Sequence, residues 1–132
     1  MARAKANFDW LSKAQRQLNK DSAFRRLGST DLKLGLLVGD QARLVTFEAF
    51  EIADVTELDP NDMRDADLVV TMPPKEWNAY LRQRKAGRGE SLMSVDLDTP
   101  VVYAQNPLKR ILFERYNLSI QALIDQGAKL AA

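Results

Sequence analysis

The 132-residue sequence contains no cysteine and no histidine. The first absence excludes disulfides, a thiolate nucleophile and any zinc site with sulfur ligands. The second excludes an imidazole base, a Ser–His nucleophile pair and histidine metal ligation. Long apolar runs are also missing. Those present, such as the one around Leu36 to Val38, fall far short of the roughly 18 residues of a membrane span. Met1 to Phe8 is basic but has no apolar stretch behind it, so no secretory signal is expected. The end, Lys129-Leu130-Ala131-Ala132, is not a peroxisomal tripeptide. The expected location is cytoplasmic.

What is present is 45% hydrophobic and 28% charged residues, the composition of a folded globular chain rather than a disordered one. The length suits one domain over residues 1–132, able to bury roughly two-thirds of its unfolded surface. Charge is uneven. Residues 1–30 carry seven Lys/Arg against two Asp/Glu, residues 31–72 three against ten, and residues 73–132 nine against six. The basic N-terminal third suits either an anionic surface, such as lipid headgroups or a nucleotide phosphate, or an ordinary solvated helix face. Arg25-Arg26 has the same two readings: a CoA phosphate or carboxylate contact, or surface charge. Nucleic acid is not an expected partner, because no basic stripe interleaved with aromatics occurs. Asp54, Asp62, Asp65 and Asp67 lack the glycine and bidentate glutamate of a calcium loop, so no metal site is expected.

Periodicity predicts an amphipathic helix over 5–20, with Phe8, Leu11, Gln15 and Leu18 in line and Trp10 and Ala14 beside them. A short helix or turn holds Phe24 and Leu27 until Gly28-Ser29-Thr30 breaks it. Leu32, Leu34, Leu36 and Val38 alternate along a first strand, and Gly39-Asp40 is a hairpin signal. The return strand runs over 41–50, with both faces partly apolar. An acidic, edge-like third strand covers 52–58, Asp59-Pro60-Asn61-Asp62 turns, and a fourth strand covers 66–72. Pro73-Pro74 opens a helix to about Lys85, ended by Gly87-Arg88-Gly89. Residues 91–95 form a helical turn and 99–104 a fifth strand. Asn106-Pro107 caps a final helix that either continues to Gln126 or restarts at Ser119, with Gly127 ending it. The pattern reads as α+β: a four-strand antiparallel meander joined by a fifth strand, with helices on one face.

This order and three segments resemble the sterol carrier protein 2 (SCP2) domain family. "LNKDSAFRRLGSTDLKLGLLVGDQARLVTFEAFE" is similar to the family's opening helix, Phe-containing turn and Gly-Asp hairpin. "DADLVVTMPPKEWNAYLRQ" resembles a strand ending in Thr-Met that runs into a helix with an aromatic in its first turn, here Trp77. "GRGESLMSVDLDTPVVYAQNPLKRILFERY" resembles the closing short helix, strand and C-terminal helix. The resemblance covers about residues 8–126. Val95 stands where the family often has glycine, and Gln105-Asn106 where it often has Gly-Asp.

The resemblance implies a five-stranded, mostly antiparallel sheet with helices over one face and a hydrophobic tunnel between. It also implies a non-enzymatic role: binding or transfer of a sterol or steroid, fatty acid or fatty acyl-CoA, with no cofactor. Such a site needs a concave apolar pocket and few polar groups. At about 0.8 kcal/mol per buried CH₂, a long chain binds without a hydrogen-bond code. The residues suited to line it are Trp77, Tyr80, Leu81, Leu92, Met93, Leu108, Ile111, Leu112 and Tyr116, with Val45 and Phe47 flooring it and Tyr103 either facing it or packing. Met adapts to irregular shapes, and Trp and Tyr add a single donor to an apolar body. The same residues at helical spacing also suit a plain core. Two other roles fit the sequence. One is an accessory subunit that presents a lipid-like substrate to a partner enzyme of lipid, quinone or steroid metabolism. The other is a small steroid-type isomerase or hydratase pairing Asp54 or Asp67 with Tyr80 or Tyr103. A transient membrane contact through the basic first helix is a further possible partner.

Overall fold

The structure, a computed structural model, describes residues 8–131. Its elements are α1 (Leu11–Asn19), α2 (Ser22–Arg25), β1 (Leu32–Val38), β2 (Gln41–Glu48), β3 (Glu51–Glu57), β4 (Leu68–Met72), α3 (Pro74–Lys85), α4 (Leu92–Asp98), β5 (Val102–Ala104) and α5 (Pro107–Leu130). The strands form one five-stranded sheet in the order β3-β2-β1-β4-β5.

The sheet is mixed. Only the first three strands form an antiparallel meander. β4 adds to the far side of β1 and runs parallel to it, Leu34 beside Leu68 through Val38 beside Met72. The expected four-strand antiparallel meander is thereby corrected. A parallel neighbour requires a crossover, and residues 58–67 provide it across the sheet face that carries Gly35. A Cβ there would lie 2.8 Å from the Met63 terminal methyl and 3.0 Å from the Ala66 Cβ, so glycine in mid-strand lets the connection lie flat on β1.

The opposite, inner face follows the leucine alternation. Leu32, Leu34, Leu36 and Val38 share it with Val45, Phe47, Ile52, Leu68, Val70, Met72 and Val102, all buried. Helices cover this face. α1 lies along the edge strand β3. There the Asn19 side chain accepts from Ile52 N (2.7 Å) and donates to Ile52 O (3.0 Å), and Gln15 donates to the same carbonyl (2.9 Å). Two amides thus cover edge groups that would otherwise invite a foreign strand. Gln15 stands in the apolar line of α1 because it fills this role.

Several boundaries differ from expectation. The helix predicted over 5–20 begins at Leu11, with residues 8–10 in a turn ahead of it and residues 5–7 outside the described residues. α2 stops at Arg25, leaving Leu27 beyond it and exposed. The turn at 91–95 is a full helix, capped by Ser91 Oγ on Ser94 N. The fifth strand shrinks to three residues, because Asp96 takes the amides of Val101 and Val102 (2.8 Å each). α5 is unbroken for 24 residues and runs straight through Gly127. That glycine is a contact rather than a stop: a Cβ there would lie 2.5 Å from the Trp10 ring.

Candidate functional site

The space between the inner sheet face and the helices contains the most aromatic part of the molecule. Trp77 sits at the end of the first turn of α3, positioned by the Pro73-Pro74 start and by its own amide bonding to Pro73 O (2.9 Å). It is fully buried. Phe8 and Trp10 enter from the turn ahead of α1. The Phe8 ring meets Trp10 at 6.1 Å and Trp77 at 6.0 Å between centroids, edge-to-face with both. The far edge of the Trp10 six-membered ring lies over Gly127.

Both indole Nε1 atoms in this cluster are buried and have no hydrogen-bond partner among the described residues. They are the chain's only two tryptophans. A buried N–H without an acceptor costs about 1–3 kcal/mol, so two in one cluster mark it as a place where an acceptor would be welcome.

One cation reaches the same cluster. Arg43 pairs across the sheet with Leu36 and Glu57, which puts it on the inner face. Its guanidinium carbon lies 5.8 Å from the centre of the Phe8 ring. It donates to Ala42 O (3.0 Å) and stands 3.9 Å from the exposed Glu57 carboxylate.

A second group of polar side chains ties α3 to α5. Arg84 grips Asp125 with two hydrogen bonds (2.8 and 2.7 Å). Gln121 donates to Asp125 (2.9 Å) and to the Tyr80 hydroxyl (3.3 Å), and accepts from Leu92 N (2.7 Å). The Tyr80 hydroxyl itself donates to Glu90 O (3.0 Å). Burial pushes the Tyr80 phenol up, against a smaller opposite pull from Gln121. Burial alone would raise the Asp125 carboxyl, but Arg84 and Gln121 together hold it below the usual carboxylate range. Beside this network an open cleft of about 270 Å³ lies between α3 and α4. Its floor is Met72, Tyr80, Val95 and Val101, and its rim carries Glu76, Glu90 and Asp98.

The structure gathers most of the residues expected around a ligand. Val45, Phe47, Trp77, Tyr80, Leu81 and Leu92 lie in one buried cluster, and Met93, Leu112 and Tyr116 pack partly buried against it. Three stand apart from it: Leu108 and Ile111 face outward from the start of α5, and Tyr103 points away from the inner face with its hydroxyl on Pro100 O (3.1 Å). The acid–phenol pairs are not assembled. Asp54 is exposed on β3, Asp67 binds Lys33 N (3.0 Å) and Lys109 Nζ (2.8 Å), and both tyrosine hydroxyls are engaged by backbone carbonyls.

The interior also holds residues that the sequence reading did not place at a site: Phe8, Trp10, Arg43, Phe113, Ile120, Leu123 and Ile124. Phe113, Ile120 and Ile124 sit seven and four residues apart, one inward face of α5, and that spacing was a usable signal. For Arg43 the signal was strand alternation, which puts it on the face of Val45 and Phe47, although cations in strands usually face water.

No protein-family model matches the sequence, and no curated protein matches it. Solved structures do. The crystal structure of sterol carrier protein 2 superposes with a TM-score of 0.70 at 19% identity, covering 96% of this chain and 98% of that one. The solution structure of the conserved hypothetical protein TT1886 from Thermus thermophilus, described as possibly a sterol carrier protein, gives 0.71 at 20% identity, covering 99% and 93%. The chain therefore has the sterol carrier protein 2 fold. Among the described residues no helix is long and apolar enough to cross a membrane.

Proposed function

We propose that the protein binds an apolar small molecule, of the sterol, fatty acid or fatty acyl-CoA kind, between its helices and inner sheet face. It carries or presents that molecule without chemical change. The observation that bears most weight is the aromatic cluster: three buried rings that contain two donors with no acceptor among the described residues. The fold shared with sterol carrier protein 2 supports the same reading. Shielding a long chain from water at about 0.8 kcal/mol per CH₂ supplies affinity, and a single donor or cation supplies orientation.

Native mass spectrometry of protein purified without detergent, followed by solvent extraction of anything released, tests this. A one-to-one adduct of a lipid, or its uptake on incubation with fatty acids, sterols and acyl-CoAs, is the expected result. A bare polypeptide mass that persists through all three incubations rejects the proposal.

A further inference from the structure

The aromatic cluster has an internal asymmetry that points to the polarity of its ligand, an inference that rests on the carrier reading. Of the three rings, only Phe8 stands between the other two, and it belongs to no helix or strand. The two unpartnered donors belong to the two rings that flank it. The face of the same ring is covered by the Arg43 guanidinium. A phenyl ring satisfies neither kind of neighbour fully. It offers no lone pair to an indole N–H, and it offers a cation only its quadrupole.

Arg43 is also under-used. Arg84 holds Asp125 through both arms of its fork. Among the described residues Arg43 has one backbone carbonyl and a 3.9 Å approach to an exposed glutamate. Its fork is left without the planar two-oxygen partner it fits. On the inner face of a sheet this is a half-buried positive charge awaiting an anion. At the cleft between α3 and α4 the charge is reversed, with Glu76, Glu90 and Asp98 on the rim, so an anionic head is repelled there.

We propose that the place now filled by the Phe8 ring is the head-group site for an apolar monocarboxylate. Arg43 is its countercharge, the Trp10 and Trp77 indoles are its donors, and Phe8 is an internal plug that the ligand displaces. The two carboxylate oxygens take the guanidinium fork in place of the ring and accept from the indoles with their remaining lone pairs, and the alkyl chain runs into the interior away from Arg43. Leaving the cluster requires Phe8 to break no strand pairing, since the first strand begins at Leu32.

The test compares sodium oleate with oleyl alcohol, which has the same chain and no charge, both below their aggregation limits. Binding is read from tryptophan emission and stoichiometry from native mass spectrometry. Arg43→Gln is expected to weaken oleate at least about tenfold while leaving oleyl alcohol unchanged. Phe8→Leu, which keeps apolar volume but removes the ring, is expected to tighten both. Glu57→Gln, at an exposed position that does not endanger folding, is expected to tighten oleate alone by freeing Arg43 from its competitor. If Arg43→Gln keeps the parent's ratio of oleate to oleyl alcohol affinity, the head-group assignment is overturned and the carrier reading stands. Should Arg43→Gln fail to fold, an unchanged oleate affinity in Glu57→Gln overturns it equally. If neither compound binds the parent or Phe8→Leu, this inference falls, and the carrier reading is then decided by the sterol and acyl-CoA incubations.

Discussion

Gly127 shows how one residue can be read in two ways. A glycine near the end of a helical pattern usually marks its stop, and here it marks a contact. A Cβ would meet three Trp10 ring atoms at 2.5–2.8 Å. The ring has little freedom to retreat, because Phe8 packs on it and the residue is 6% exposed. In an open helix Gly→Ala would gain up to about 1 kcal/mol. Overpacking a rigid core costs about 1–3 kcal/mol, so the clash decides the sign. Gly127→Ala is expected to lower stability by about 1–2 kcal/mol in urea unfolding, with a shifted tryptophan emission. A stabilised variant would show that Trp10 does not press on α5. Arg43 and the plug residue Phe8 are the same kind of case. What each does is set by partners far away in sequence, which no local pattern encodes.

Elements were legible where their own residues determine them. The leucine alternation of β1, the Gly39-Asp40 turn, the proline start of α3 and the Asn106-Pro107 cap of α5 are local signals, and each stands where read. Pairing was less legible. Alternation says which residues share a face, but not that β4 would lie parallel beside β1, because that depends on the length and path of 58–67. The short β5 has a similar cause: Asp96, at the end of α4, takes the amides of Val101 and Val102 and pairs with Arg110 of α5. One carboxylate thus clips three elements. Burial would raise its pKa, but Arg110 and the two amides outweigh burial and hold it low. A carboxyl with a lowered folded-state pKa stabilises above its unfolded value, near 4, and loses that contribution as pH falls through the folded value. Asp96→Asn is therefore expected to cost about 2–3 kcal/mol at pH 7. The gap from the parent should narrow steadily below pH 4. A gap that stays constant from pH 7 to pH 2.5 would mean the ionised form contributes nothing.

At the scale of the molecule, the two tryptophans sit where the turn ahead of α1, α3, α5 and the sheet come together, so their emission reports the common core rather than one element. If the helices and the sheet share that core in a single cooperative unit, heating should give one transition, coincident by tryptophan emission and far-ultraviolet circular dichroism. A ligand that binds only the folded form raises that transition by mass action. At a hundred times its dissociation constant the gain is about 2.7 kcal/mol, on the order of 10 °C for a chain of this size. Oleate is expected to produce such a shift, and to move both probes together, because the ligand touches the residues that hold helices to sheet. A shift seen by emission but not by circular dichroism would mean that oleate orders only the aromatic cluster. No shift by either probe at saturating oleate would mean that the interior does not take this monocarboxylate.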